Sequence, residues 1–204
     1  MPTIRNIVFD IGNVMVRWSP LEIIRLTFGE QVDGASLAAN IFQSSLWLDY
    51  NRGVYTQLQV RQQLQEQMNF SDDELNRLFY YLVNSQILIY GQVDLLKRLH
   101  QAGYQLYTLT DNVPEIVSFI KQRYDFWPYF HGEVVSADVG CLKPDPVIYQ
   151  YLLNTYQLNP AESVFTDDLM ANIQGCQNAG MHGIHFRSST QLETDLRALG
   201  VQMD

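Results

Sequence analysis

The sequence predicts an α/β fold, a doubly wound parallel sheet flanked by helices, with a helical cap inserted after the first strand. Short apolar runs that are typical of buried strands alternate with segments of helical periodicity, as in parallel sheets with right-handed crossovers. This alternation is interrupted once, by about 70 residues of helical pattern without a strand pattern. A chain of 204 residues can form one such core together with a small accessory domain.

The first predicted strand is Asn6–Phe9, a mostly apolar run that is followed at once by Asp10 and then Gly12. Parallel sheets bind ligands beside the carboxyl ends of their strands. Asp10 is therefore expected where a small anion or a metal would bind. An isolated Asp-x-Gly also occurs as a simple turn cap, and the later motifs decide between the two interpretations.

The helical stretch begins after Arg17-Trp18-Ser19-Pro20, a connector whose proline suits a first helical turn. Ser71–Glu74 forms a capping box, followed by apolar residues at helical spacing. The apolar residues of this helix are Leu75, Leu78, Phe79 and Leu82. An earlier helix is expected to have an apolar face formed by Val54, Leu58, Leu64 and Met68, and a turn is expected before it at 49–53. We therefore expect a cap domain at 17–88 and a core domain at 1–16 and 89–204.

The α/β alternation resumes after the cap. Further strands are expected at Tyr104–Leu109, Val134–Ser136, Val164–Phe165 and Gly183–Phe186. Helices are expected around Leu95–Leu99, at Pro114–Arg123, at Pro146–Tyr156 and around Ile173–Ala179. Gly103 and Gly180 are expected to end the first and the last of these. A second capping box at Thr190–Glu193 is expected to begin the final helix.

Composition narrows the function classes. The formal net charge of −9 argues against a nucleic-acid partner, which requires a basic face. No apolar run approaches the length of a membrane span, and the N-terminus lacks a secretory signal pattern, so we expect a cytoplasmic protein without a membrane partner. Cys141 and Cys176 are too few for a disulfide framework or a zinc site. No pattern predicts an oligomeric state.

The predicted strand ends and one loop carry side chains that suit a single task. They deliver Asp10, Thr110, Lys143 and the Asp167-Asp168 pair. Carboxylates gathered at one edge repel one another, and a hard divalent cation such as Mg²⁺ offsets that repulsion. A carboxylate beside such a cation can attack phosphorus, while the threonine hydroxyl and the lysine ammonium stabilise a phosphoryl group.

These residues resemble the motifs of the haloacid dehalogenase (HAD) superfamily, in its branch of small phosphatases with a helical cap after the first strand. The resemblance covers nearly the whole chain. It is carried by Phe9-Asp10-Ile11-Gly12-Asn13-Val14, Leu109-Thr110-Asp111-Asn112, Leu142-Lys143-Pro144-Asp145-Pro146, and Val164-Phe165-Thr166-Asp167-Asp168 followed by Asn172 to Met181. The resemblance implies a Rossmann-like core and an Mg²⁺-dependent phosphatase that acts through an aspartyl-phosphate. The expected substrate is a small phosphorylated metabolite, namely a sugar phosphate.

The resemblance also implies roles. Asp10 would be the nucleophile and first metal ligand, and Gly12 would give its main-chain carbonyl to the metal. Asp168 would ligate the metal directly, with Asp167 ligating or orienting. Phosphate binding would fall to Thr110, Asp111, Asn112 and Lys143.

The sequence departs from the family pattern at two positions. Gly12 stands where phosphatases have an aspartate that protonates the leaving group, so good substrates should have stabilised leaving groups, such as anomeric sugar, acyl or aryl phosphates. Asp111 stands where a neutral residue is common, and we expect its carboxylate to point away from the phosphoryl group.

Candidates for substrate selection lie in or near the predicted cap: Asn13, Arg17, Trp18, Trp47 and Arg52. The alternative role for the two tryptophans is structural packing. The alternative for Arg52 is a solvated charge on the surface.

The sequence leaves two alternative functions open. One is a haloacid dehalogenase, which needs no metal and has no use for Asp167-Asp168. The other is a non-catalytic module that binds phosphorylated ligands and has lost turnover with its general acid.

Overall fold

The central sheet has five strands, all parallel, in the order β3-β2-β1-β4-β5. The structure is a computed structural model that describes residues 3–203. The strands are β1 (Asn6–Phe9), β2 (Gln105–Thr110), β3 (Gly132–Val135), β4 (Ser163–Asp167) and β5 (His182–His185). The predicted doubly wound α/β fold is confirmed. No helix in residues 3–203 combines the length and apolar character needed to cross a membrane.

The register of the sheet aligns the strand ends that carry the candidate site. Phe9 in β1 lies opposite Thr108 in β2 and Thr166 in β4. Asp10 follows β1, and Thr110 and Asp167 are the last residues of the neighbouring strands. All three residues therefore emerge at one edge of the sheet.

Helices cover both faces of this sheet. They are α6 (Gln92–Gln101), α7 (Pro114–Arg123), α8 (Ser136–Val139), α9 (Pro146–Thr155), α10 (Met170–Asn178) and α11 (Ser189–Ala198). Alternate residues of β1 enter different apolar clusters: Val8 belongs to the cluster that includes α9 and α10 residues, whereas Ile7 and Phe9 belong to the larger cluster with α6 and α11. The period of two along a strand thus gives the sheet two buried faces.

Five helices follow β1 before α6 begins. They are α1 (Pro20–Phe28), α2 (Gly34–Phe42), α3 (Ser45–Asn51), α4 (Gln57–Met68) and α5 (Asp72–Asn84). The chain enters and leaves this helical region through two paired segments. Arg17 N donates to Ile87 O at 2.8 Å, and Ile89 N donates to Met15 O at 3.0 Å.

Several local predictions are confirmed. Pro20 is the first residue of α1, and Ser71 caps α5 with the reciprocal Glu74 contact of a capping box. Leu75, Leu78 and Leu82 are buried. Gly103 takes φ +88° just past the end of α6, a left-handed conformation that glycine adopts without steric cost.

Other local predictions are wrong. Val54 precedes α4, and Leu58 is exposed, so the buried face of α4 is Val60 and Leu64. The expected turn at 49–53 begins later, because α3 continues to Asn51. This difference places Trp47, Leu48 and Asn51 on one helix.

The last helix does not start at the predicted capping box. Ser188 caps α11 by accepting from Gln191 N at 3.2 Å. Glu193 lies in the second turn, where its carboxylate binds Arg98 of α6 and Arg197. The reason is a competing S-x-x-Q pattern two residues earlier, which supplies the cap and frees Glu193 for an ion pair between helices.

Candidate active site

The predicted strand-end residues converge on one cavity of about 320 Å³ at the carboxyl edge of the sheet. Asp10, Thr110, Lys143 and Asp168 line it, together with Gly12, Asp111 and Asn112. Asp167 lies directly beneath, fully buried. We call Asp10, Lys143, Asp167 and Asp168 the charged floor.

Lys143 joins two of the floor carboxylates. Its ammonium Nζ lies 2.9 Å from Asp10 Oδ1 and 2.7 Å from Asp167 Oδ2, and it donates to Leu109 O at 3.2 Å. The side chain is 1% exposed. A buried ammonium is tolerable only with such compensation, so the loop between α8 and α9 is fixed against the ends of β1, β2 and β4.

Burial and charge oppose each other in this group. Burial alone lowers the pKa of the Lys143 ammonium, but Asp10, Asp167 and Asp111 together outweigh that effect and hold the pKa above its ordinary value. Burial raises the pKa of Asp10, Lys143 counteracts this, and the nearby Asp167 adds to the rise. When the three carboxylates of the floor are ionised they outnumber the one ammonium, so protons or a cation must supply the remaining positive charge.

Asp167 is held by more donors than any other floor carboxylate. Besides Lys143, its oxygens accept from Leu169 N at 2.8 Å and from Asn172 Nδ2 at 3.0 Å. Asn172 is in the first turn of α10, which positions its amide over the end of β4. This arrangement suits Asp167 to orient its neighbours, because both of its oxygens already accept hydrogen bonds from the protein.

Asp168 is more available. Its Oδ2 accepts one side-chain hydrogen bond, from Asn13 Nδ2 at 3.0 Å, and the residue is partly exposed. Burial raises the pKa of this carboxyl group too. Asn13 has φ +53°, and its Oδ1 accepts from Trp18 N at 2.9 Å. Asn13 thereby links Asp168 to the segment that leads into α1.

The floor fits a divalent cation. Asp10, Asp167 and Asp168 each offer a carboxylate oxygen, and these atoms lie within 4.8 Å of one another. Three carboxylates so close, with the pKa of Asp10 and of Asp168 raised by burial, form a site that a cation would stabilise. Oxygen ligands of this kind are those that Mg²⁺ prefers.

The end of β2 supplies the opposite side of the cavity. Thr110 is buried and lines the cavity. Asp111 Oδ1 accepts from Lys143 N at 3.0 Å, so its carboxylate is turned toward the lysine loop. Burial raises the pKa of Asp111. Asn112 Oδ1 accepts from Val113 N at 2.9 Å.

Gly12 leaves space over the floor. A Cβ placed there would find Trp18 Cβ at 3.7 Å as its nearest neighbour, an ordinary van der Waals contact. A side chain at position 12 is therefore sterically possible, and the missing acid is not explained by crowding.

Among the five candidates for substrate selection, three line the cavity: Asn13, Trp18 and Trp47. The structure does not place Arg17 or Arg52 on the cavity lining. Arg17 pairs with Glu22, and Arg52 pairs with Asp49 at 2.9 Å on the same helix region. Each arginine has a nearby carboxylate on the protein surface, which a one-dimensional pattern does not reveal.

Apart from Trp18 and Trp47, sequence reasoning missed the apolar part of the lining. The apolar wall, as we call it, consists of Trp18, Phe42, Trp47, Leu48, Ile116, Leu142 and Leu169. Asn51 and Gln86 are polar members of the lining from the helical region. Asn172 was also missed as a site residue, although an asparagine five positions after Asp167, in the first turn of the next helix, was a usable signal.

Comparison with known proteins gives one family. Residues 4–180 match the family model of haloacid dehalogenase-like hydrolases. A sesquiterpene phosphatase, astK, of Aspergillus oryzae is 26% identical over 198 residues, which cover 97% of each chain. A glyceraldehyde 3-phosphate phosphatase of Pyrococcus furiosus is 31% identical over 112 residues, covering 52% of this chain and 45% of that protein.

Solved structures share the fold. A predicted HAD-like hydrolase from Porphyromonas gingivalis superposes with a TM-score of 0.80 at 21% identity, covering 98% of this chain and 100% of the other. A HAD family enzyme of Bacteroides thetaiotaomicron, in complex with magnesium and inorganic phosphate, gives a TM-score of 0.75 at 19% identity, covering 91% and 95%.

Proposed function

This chain belongs to the haloacid dehalogenase-like hydrolase family, its relatives include phosphatases, and we propose that it uses Mg²⁺ to hydrolyse a small phosphate monoester through an aspartyl-phosphate at Asp10. The observation that carries the proposal is the charged floor. One buried lysine joins Asp10 to Asp167, and three carboxylates face one another within 4.8 Å beside a cavity.

The reaction follows from the chemistry of these residues. A carboxylate oxygen of Asp10 attacks phosphorus, the bond to the alcohol oxygen breaks, and the phosphoryl group is carried by Asp10 until water releases it. Thr110 donates its hydroxyl to a phosphoryl oxygen, and the Lys143 ammonium stabilises the negative charge there. Lys143 also holds Asp10 in place.

Asp10, Asp168 and the main-chain carbonyl of Gly12 would hold the cation, with Asp167 orienting them from below. When bound, Mg²⁺ supplies positive charge that offsets the carboxylates and the phosphoryl oxygens. The three carboxylates and the charge balance of the floor support this assignment.

We assign residues 17–88 to a cap that excludes bulk water from the reaction and selects the substrate. The paired segments around Met15 and Ile89 are where such a cap would join the core. Trp18, Phe42 and Trp47 contribute its contacts with the cavity.

Gly12 narrows the substrate class. A general acid is worth about 10²–10⁴-fold in rate, so a chain without one favours leaving groups that depart without protonation. Anomeric sugar, acyl and aryl phosphates meet this condition, and a sugar phosphate is the member expected from the sequence. A hexose 1-phosphate should then be hydrolysed faster than its 6-phosphate.

The direct test is phosphate release from a panel of phosphorylated metabolites by the purified protein. We expect release that EDTA abolishes and Mg²⁺ restores, and that the Asp10→Asn variant lacks. Binding without release would identify a non-catalytic module. Metal-independent chloride release from a haloacid would identify a dehalogenase instead.

A further inference from the structure

The cavity has two chemically different halves. Its charged half is the floor, where the phosphoryl group would bind. The half that would receive the alcohol part of the substrate is formed largely by the apolar wall. Trp18 and Trp47 are nearly parallel, with ring centroids 6.5 Å apart, and Phe42 packs edge-on against both at 5.5 and 4.9 Å.

The polar side chains on this half are two buried amides, and the protein already uses one N–H group of each. Asn51 Nδ2 donates to Trp47 O at 2.9 Å, and Gln86 Nε2 donates to Leu82 O at 2.8 Å. Both residues are buried. A sugar could stack on an indole ring, but its several hydroxyl groups would find few free partners here. Each buried polar group without a partner typically weakens binding by about fivefold or more.

The same half contains no group that could protonate a leaving alcohol. Among the lining residues in the described part of the chain, the titratable ones are Asp10, Asp111, Lys143 and Asp168, all at the phosphoryl end. An alcohol held against the apolar wall must therefore leave unassisted. The wall interacts with that alcohol mainly through apolar contact.

We propose that the substrate is a phosphate monoester whose alcohol part is a hydrocarbon, aromatic or terpenoid, with few or no hydroxyl groups. This inference rests on the proposed phosphatase function and narrows its substrate class away from the sugar phosphate expected from the sequence. The cavity volume of about 320 Å³ is at the small end for organic ligands, in keeping with a compact alcohol.

A matched pair of ligands tests the inference. Cyclohexylmethyl phosphate and glucose 6-phosphate are both primary alkyl phosphates with a six-membered ring, and they differ mainly in hydroxyl groups. Each is measured as a competitive inhibitor of 4-nitrophenyl phosphate hydrolysis with Mg²⁺. We expect the inhibition constant of cyclohexylmethyl phosphate to be at least tenfold lower. A smaller ratio would overturn the inference.

Two adjacent residues provide a variant and its control. Leu169 lines the cavity and is 56% exposed, whereas Met170 does not line it and is 57% exposed. L169Q should reduce the ratio about threefold or more, and M170Q should leave it unchanged. An unchanged ratio in L169Q would count against the inference. Should L169Q fold poorly, Leu48→Gln serves in its place, with exposed Leu58→Gln as its control.

Failure of the function itself has a separate signature. If Mg²⁺ supports no release of phosphate from any ester, the proposed phosphatase activity is wrong. The same pair is then compared by calorimetric binding in Mg²⁺, with the same tenfold criterion. Phenyl phosphate and a farnesyl phosphate, tested beside the pair, distinguish an aromatic from a terpenoid alcohol.

Discussion

The charged floor and the apolar wall enclose one cavity, yet they are built differently. The floor gathers Asp10, Lys143, Asp167 and Asp168 from loops far apart in the chain, and its hydrogen bonds are short, buried and interlocked. The wall consists mainly of side chains from the helical region that contact one another through ring packing. Hydrogen bonds and ion pairs therefore fix the positions of the floor side chains, whereas van der Waals packing fixes those of the wall.

This difference separates two kinds of consequence. A change in the floor should affect chemistry, cation binding or folding, since each buried charge depends on its partners. A change in the wall should affect which ester is preferred. Variants of the floor and of the wall test that separation.

Asp10→Asn should give the largest effect, a loss of about 10⁴-fold or more in kcat, because the nucleophile is removed while its size is kept. A wall variant, Leu48→Gln, should change kcat by no more than several-fold. Phosphate release measures both, with thermal melting as the check on folding. Activity of D10N within tenfold of the unmodified protein would contradict the assignment of the nucleophile.

Lys143→Met should lower the free energy of unfolding by about 3–5 kcal/mol near pH 8, because two buried carboxylates lose their counter-charge. This difference in the free energy of unfolding between the variant and the unmodified protein should become smaller as the pH falls. The pKa of Asp10 is raised in the folded state by burial, so protonation below that pKa favours the folded form, and stability is lost as the pH rises through it.

Lys121→Met is the matched control for that variant. Lys121 pairs with Glu133 at 2.6 Å, but both side chains are 36% exposed. Exposed pairs contribute about 0–1 kcal/mol, so the control should cost little at either pH. Denaturant titrations at pH 5.5 and pH 8 measure both variants, and equal losses would show that Lys143 is not the counter-ion of the floor.

Asn172→Ala should weaken Mg²⁺ binding by about 10–100-fold, the typical effect of losing hydrogen bonds that support a metal site from outside its ligands. Its amide contacts both oxygens of Asp167. Asn178, exposed at the end of the same helix, provides the control variant Asn178→Ala. Calorimetry with Mg²⁺ gives the affinities, and equal values for the two variants would remove Asn172 from the site.

Gly12→Asp should produce the smallest and most selective change. A carboxyl group fits there, since the nearest contact of a new Cβ is at 3.7 Å. It should speed an alkyl ester, which needs protonation, about tenfold more than an aryl ester, which does not. Gly12→Asn, equal in size but not acidic, is the control. Turnover of cyclohexylmethyl and phenyl phosphate measures the effect, and a similar shift in both variants would argue against acid catalysis.

The sequence was enough to predict the fold and the residues of the floor. Parallel strands end at one edge of the sheet, so three strand patterns predict that Asp10, Thr110 and Asp167 lie close together. The position of Lys143 followed from its motif. The same reasoning could not separate the roles of Asp167 and Asp168, because that depends on how many donors each carboxylate meets.

The wall was largely beyond sequence reasoning for a physical reason. Helical periodicity identifies an apolar face but not its neighbour, so the pattern places Val54 and Leu58 on a helix face although both are exposed. Leu48, also exposed, lines the cavity. Arg52 is a candidate selector by sequence, but its side chain is held by Asp49 outside the cavity lining.

The most direct measurement of the central claim is to trap the phosphoryl group. The protein is mixed with Mg²⁺ and 4-nitrophenyl phosphate, quenched in acid within the first turnover, and digested for mass spectrometry. We expect a phosphoryl group on the carboxylate of Asp10, absent when EDTA replaces Mg²⁺ and absent in D10N. Phosphorylation of a different residue, or label on Asp10 without a divalent cation, would contradict a cation-dependent site built on this floor.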